Sequence, residues 1–197
     1  MTTVILSRMT ILLTGIVLFA AVHWFPAAMP GARKSIIGGI GELPYKGLFA
    51  ILSLGSLALI VKGWQAAPLI KIYVPPFFGN AIIGGAIVLS IVLFLAPYFP
   101  SNIRRLLRHP QLTGVVIWGA AHLLVNGTVR DLLLFGGFAV WALLAMLLAS
   151  RRDGPWSRPA PQPVWGDAAL LTVGLLAAAA LFHFHGRLFG VTPIYLA

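Results

Sequence analysis

The sequence predicts an all-α fold, a polytopic membrane helical bundle with about six transmembrane helices. Three observations predict it. Of the 197 residues, 59% are hydrophobic and only 9% are charged, with a mean hydropathy of +0.95. A soluble domain averages about 25% charged residues, so this chain cannot cover a soluble surface with polar groups. The apolar residues also gather into runs, most of them near the ~20 residues that cross a ~30 Å hydrocarbon core at ~1.5 Å per residue. Finally, the basic residues fall in the gaps between those runs or at their ends.

The balance of 14 Lys and Arg against 4 Asp and Glu gives a formal net charge of +10. On a soluble domain that would point to nucleic acid. Placed between apolar runs, it instead anchors and orients the chain on anionic lipid. The expected partner is membrane lipid, and no nucleic acid is expected. The chain has no cysteine, which removes disulfides, iron–sulfur clusters and thiolate haem ligation.

The first apolar run, Met9 to Ala28, carries His23. It is long for the ~7–15-residue core of a signal peptide, so it reads as a retained helix. Residues 1–8 then form an N-terminal extension, and 9–197 form the membrane domain. The second run covers Tyr45 to Trp64 and the third Gly79 to Tyr98. The fourth, Leu112 to Val125, is short by itself, but 21 residues (109 to 129) separate Arg108 from Arg130, enough for one span. The fifth, Leu132 to Ser150, follows Asp131, and the sixth covers Ala168 to Phe184.

The connecting segment PAAMPGARKSIIGGIGELPYKG, rich in Pro and Gly, reads as a turn. RRDGPWSRPAPQPVWGD reads as an extended linker at the membrane surface, and IYVPPFFG suits the headgroup region. Loops after the odd-numbered runs hold Arg33, Lys34, Lys46, Arg104, Arg105, Arg108, Arg151, Arg152 and Arg158. The termini and the other loops hold Arg8, Lys62, Lys71, Arg130 and Arg187. Nine against five places the odd loops in the cytoplasm and both termini outside.

Chemistry centres on His23 and His122. A polar side chain inside a span is costly and faces the bundle interior. Trp118, His122 and Asn126 stand at i−4, i and i+4, so they line one helix face, flanked by the small residues Gly119, Ala120 and Ala121. The structural reading is a histidine that bonds a neighbouring helix. Two such histidines with almost no acids leave a second reading open. A zinc or di-iron centre wants carboxylates or more ligands, and the only Glu is Glu42. Two neutral imidazoles suit haem, whose porphyrin supplies four nitrogens. Counted along the helices, His122 lies about 12 Å from Arg130 and His23 about 22 Å from Arg8, a mismatch of about 10 Å for one iron. His109, in RHPQ, reads as a headgroup contact or a helix start before Pro110. His183 and His185 read as interface anchors. No GxSxG, HExxH, phosphate-binding loop or dinucleotide fingerprint appears.

The block RHPQLTGVVIWGAAHLLVNG resembles the NnrU family. So do MTILLTGIVLFAAVHWFPA, LPYKGLFAILSLGSLALIVKGW and LLLFGGFAVWALL, so the resemblance runs from Met9 to the sixth helix. That family is linked to denitrification and is similar to 15-cis-zeta-carotene isomerase. The resemblance implies a multi-pass protein of a bacterial inner (plasma) membrane that binds haem b. His23 and His122 match the axial ligands of the isomerase's haem, and Trp118 and Asn126 belong beside the cofactor. It implies a role supporting nitrite or nitric oxide respiration, as an accessory or redox component working with respiratory nitrogen-oxide proteins. The alternative it implies is a haem-dependent cis–trans isomerase of a carotenoid or other isoprenoid polyene. The isomerase also exchanges one ligand for a cysteine. The matching position here is Gly119, so that switch does not carry over. RHPxxxG (Arg108, His109, Pro110, Gly114) further resembles the start of the cofactor segment in isoprenylcysteine-type membrane methyltransferases. Their later acidic and aromatic-basic motifs have no counterpart in SRRDGPWSRPAPQP. A cofactor-free scaffold is the remaining alternative.

Overall fold

In the computed structural model, which describes residues 2–76, 80–191 and 193, the chain is all-α. Among the described residues the only extended pairing is one antiparallel bridge, Lys71 to Thr128. Phe77, Phe78 and Gly79, which end the IYVPPFFG segment and begin the third apolar run, lie outside the described residues. The chain divides into two compact units, one made of the residues up to Val74 with Gly127–Gly154, the other of Pro75–Asn126 and the residues from Pro155.

The first unit is built on helices α1 (Thr2–Ala28), α2 (Pro30–Ile40) and α3 (Glu42–Ala66). Residues 2–8, expected as a separate extension, continue α1 without a break. The segment read from its Pro and Gly as a turn instead contains α2. Pro30 stands at the first helical position, where its fixed φ and missing N–H cost nothing. Gly41, at φ 89°, then turns the chain into α3.

α1 and α3 meet through glycine. A Cβ on Gly15 would lie 2.7 Å from the Ile60 nitrogen, and one on Gly63 would collide with the Leu12 backbone. Such close approach lets dispersion and weak backbone contacts hold helices together where no hydrophobic force acts between them in lipid. Leu12, Ile16 and Ile60 form the buried centre, with Phe19, Trp64, Leu133, Leu134 and Phe138 against it. Elsewhere these helices expose their apolar side chains: Leu54 is 67% and Ile51 68% accessible. Water would not tolerate so continuous an apolar surface, whereas lipid is its natural solvent.

The same unit is completed by α7 (Val129–Asp131), a π-helical turn (Leu132–Gly136) and α8 (Gly137–Asp153), helical from Val129 to Asp153. Thr128 starts it with a capping box: its side chain accepts from the Asp131 nitrogen, while Asp131 Oδ2 accepts from the Thr128 nitrogen at 2.9 Å and hydroxyl at 2.6 Å. Asp131 is only 4% exposed, so this pairing is what permits a carboxylate there. Arg130 lies over the Trp64 ring at 4.4 Å and donates to the Trp64 carbonyl at 3.3 Å. The extended segment 70–72 also joins in, with Ile72 N donating to Gly127 O at 2.9 Å and Val129 N to Ile70 O at 2.9 Å.

The second unit holds α4 (Asn80–Leu95), a 3₁₀ turn (Ala96–Tyr98), α5 (Ile103–Leu106), α6 (Pro110–Leu123) and α9 (Val164–Phe189). α4 is its centre. Gly114 of α6 would place a Cβ 2.6 Å from the Ser90 carbonyl, and Gly174 of α9 one 2.6 Å from Val92 Cγ2. Val92, Ala96 and Leu170 are buried at the packing centre. Residues 155–163 are not helical, as the prolines require.

Among the described residues five helices are long and apolar enough to span a membrane: Ser7–Ala28, Glu42–Ala66, Ala81–Tyr98, Val129–Asp153 and Val164–Phe189. The fourth run departs from expectation. Its helix α6 has 14 residues, about 21 Å of rise, short of the ~30 Å core. It stops at Leu123 because Asn126 Nδ2 caps the His122 carbonyl at 2.9 Å and Thr128 opens the next helix five residues on.

Candidate cofactor site

His23 and His122 are held by the same local device, one in each unit. On α1, His23 Nδ1 is 2.8 Å from the Phe19 carbonyl. On α6, His122 Nδ1 is 2.9 Å from the Trp118 carbonyl. A carbonyl only accepts, so each Nδ1 carries a proton, and in the neutral imidazole the lone pair is on Nε2. That is the tautomer a metal-ligating histidine uses, with its second nitrogen oriented by a backbone oxygen.

Each imidazole also lies against the aromatic ring four residues before it. The Phe19 and His23 rings stack at 3.9 Å and 22°, and the Trp118 and His122 rings meet at 5.0 Å and 52°. Spacing of four puts both partners on one helix face, so the i−4 aromatic and the i−4 carbonyl restrain the ring together.

The first unit adds a wall around His23. Phe49 of α3 stands edge-on at 5.1 Å and Trp141 of α8 at 5.8 Å, while Phe138 packs on Phe19 at 5.0 Å. Trp24 fixes this wall by donating its indole N–H to the Trp141 carbonyl at 3.2 Å. The Trp141 indole nitrogen is itself buried and has no hydrogen-bond partner. A buried N–H without an acceptor is unfavourable, and a polar atom on a bound group would satisfy it.

Of the residues predicted for the site, Trp118 and His122 share one face of α6, whereas Asn126 lies beyond the end of that helix at Leu123. Trp118 restrains the ring, and Asn126 bonds the His122 backbone. His109 precedes Pro110 as the N-cap residue of α6, its carbonyl accepting from the Thr113 nitrogen at 3.0 Å, so the predicted helix start is observed. His185 Nδ1 bonds the Val191 carbonyl at 2.6 Å, and His183 packs edge-on against Phe184 at 4.7 Å. Sequence reasoning missed Phe19, Phe49 and Trp141. The Phe19 signal was present, since F-x-x-x-H at 19–23 repeats the W-x-x-x-H at 118–122. Phe49 and Trp141 come from other helices and left no local trace.

The donor chemistry narrows what these imidazoles can hold. Among the described residues no group of three or more His, Cys, Asp or Glu could bind a metal ion. Among the described residues there is thus no cluster for an ion needing three or four protein ligands, whereas a metal that brings four nitrogens of its own needs only two imidazoles. Tautomer, restrained rings and the unpartnered indole N–H fit such a group. Outside the spans, burial, followed by the nearby Asp131 carboxylate, pushes the Tyr73 phenol up from its ordinary range.

Fold and site together define a multi-pass helical membrane protein that places a backbone-oriented imidazole in each of its two units. A family model described as NnrU protein matches residues 11–193. The chain belongs to the NnrU family. No curated protein and no solved structure matches it.

Proposed function

We propose that this NnrU-family chain is a haem b-binding protein of a bacterial inner membrane. It supports nitrite and nitric oxide respiration as an accessory or redox component. One observation carries the haem reading: His23 and His122, far apart in sequence, both direct Nδ1–H to the carbonyl four residues back, which in the neutral ring makes Nε2 the nitrogen that would ligate. The role in nitrogen-oxide respiration follows from the family's link to denitrification.

Haem, when bound, supplies one-electron chemistry at its iron. The chain's own residues do the rest. His23 of the first unit and His122 of the second are the residues that would hold the haem. Phe19 and Trp118 limit the rotation of their rings. Phe49, Phe138 and Trp141 would keep water from the His23 side, and the Trp141 indole N–H would be free to donate a hydrogen bond to a polar atom of the bound group.

The test is the absorbance spectrum of the full chain purified in detergent from haem-replete cells. The expected result is a Soret band with split red bands on reduction, lost in His23→Ala and in His122→Ala. A colourless, well-folded wild-type protein reconstituted with haem to no effect overturns the reading and leaves a cofactor-free scaffold.

The aromatic wall around His23 favours one second reading, a haem-dependent cis–trans isomerase of a carotenoid or other polyene, because flat rings suit a conjugated chain. A pigment-making host fed a cis-carotene precursor would accumulate the isomerised product. Unchanged precursor in cells holding the haem-loaded protein rules this out.

A further inference from the structure

The second unit contains a small, half-open cleft with polar groups among apolar walls, which the haem reading does not use. It encloses about 170 Å³ and is lined by Phe99, Pro100, Ser101, Arg104, Pro159 and Gln162. A water occupies about 30 Å³ of liquid, so there is room for a group of several heavy atoms. Ser101 is 2% exposed, yet its hydroxyl has no hydrogen-bond partner. A buried hydroxyl left unpaired is uncommon and calls for an unseen partner. Arg104, exposed at the rim, brings a guanidinium to the same cleft.

The walls are built firmly. Asn102 donates its backbone nitrogen to Asp167 Oδ1 at 2.7 Å and its amide to Asp167 Oδ2 at 2.6 Å. The Asn102 amide also donates to the Gln162 carbonyl at 2.9 Å, and the Gln162 nitrogen donates back to Asn102 Oδ1 at 3.0 Å. Arg105 Nε donates to the Pro159 carbonyl at 3.2 Å. Both oxygens of the one nearby acid are therefore engaged by Asn102. What faces the cleft is a hydroxyl donor and a guanidinium, with Arg105 and Arg158 adding positive charge nearby. A hydroxyl and a guanidinium together suit an oxyanion, and a guanidinium matches phosphate geometry best.

We propose that this cleft binds an anionic phosphate group, taken from a phospholipid headgroup or from free phosphate, with Ser101 Oγ donating from the floor and Arg104 closing the rim. The location favours the headgroup. The cleft follows directly on the spanning segment Ala81–Tyr98 and precedes the start of the span Val164–Phe189, where membrane-adjacent residues belong. The proposal is independent of haem.

The full chain would be placed in phosphatidylcholine nanodiscs with and without phosphatidylglycerol. Retained lipid would be counted by native mass spectrometry, and thermal unfolding measured. Inorganic phosphate alone would be titrated in detergent. Wild type is expected to retain phosphatidylglycerol over phosphatidylcholine. Ser101→Ala and Arg104→Gln should each bind about tenfold more weakly, the worth of one hydrogen bond to a charged group. Without ligand, Ser101→Ala should unfold at or above the wild-type temperature, because it removes an unpaired hydroxyl; a merely structural serine would lower it. A response to phosphatidylglycerol alone assigns the headgroup, and a response to inorganic phosphate assigns the free ion. No response of wild type to either probe overturns the proposal, as does binding at wild-type strength by both variants.

Discussion

Phe19 restrains His23 twice: its carbonyl holds Nδ1 at 2.8 Å, and its ring lies nearly parallel to the imidazole at 3.9 Å. Trp118 does the same for His122 through its carbonyl at 2.9 Å and its ring at 5.0 Å. Removing the ring leaves the carbonyl in place. Phe19→Ala should therefore keep the tautomer of His23 but loosen its orientation. Haem occupancy, measured as the ratio of Soret to protein absorbance, is expected to fall in part, against a complete loss in His23→Ala. The truncation also costs about 3 kcal/mol of packing, at the low end for phenylalanine, because Phe19 is only part-buried.

The contact between α1 and α3 depends on the missing side chain of Gly63. A Cβ there would collide with the Leu12 backbone, which cannot yield as a flexible side chain would. Gly63→Ala should destabilise by about 1–3 kcal/mol, the range for overpacking a tight interface. Gly55 on the same helix has nothing within 4 Å of the equivalent position. Gly55→Ala is expected to be neutral or to stabilise by up to about 1 kcal/mol through helix propensity. Thermal unfolding of the two variants in one detergent compares them directly.

Trp24 ties α1 to α8 by a single hydrogen bond, 3.2 Å to the Trp141 carbonyl. Trp24→Phe keeps the ring and deletes the donor. The expected loss is about 1 kcal/mol. The Trp141 carbonyl would still bond within its helix, so the helix itself survives. A larger consequence is a shifted Soret maximum, if Trp141 holds the wall beside His23. An unshifted spectrum would show the wall to be spectroscopically silent.

Asn102 joins three segments through its own backbone nitrogen, amide and amide oxygen. Asn102→Ala deletes the side-chain bonds and leaves Asp167 Oδ2 and the Gln162 nitrogen short of a partner. A cost of about 2–4 kcal/mol follows from losing bonds to a charged group as well as to neutral ones. Limited proteolysis should report it as new cleavage within residues 155–163. Protection equal to wild type would mean that the prolines alone hold the segment.

Much of the architecture was legible in composition. Runs such as LFAILSLGSLALIV and AVWALLAMLLA admit only a helix in lipid, because every backbone N–H and C=O must be satisfied within the segment. The ends of those helices were less legible. α2 was hidden in a Pro- and Gly-rich stretch, because Pro30 reads as a breaker and acts as a starter. The early stop of α6 depended on a side-chain cap from Asn126 and on the capping box of Thr128 with Asp131, neither of which hydropathy records.

By itself, the sequence determined that this protein is a multi-pass α-helical membrane protein, and it singled out His23 and His122, both of them half-buried in the structure. The physical reason is local: lipid cannot solvate backbone or charge, so apolar length and the rarity of polar residues inside it are decisive. Only the tertiary structure decided what surrounds those residues. Phe49 and Trp141 reach His23 from α3 and α8, and Ser101 meets Pro159 and Gln162 across more than fifty residues of chain. Such neighbours are chosen by glycine-mediated helix approach and side-chain hydrogen bonds between distant segments, and no window of sequence contains both partners.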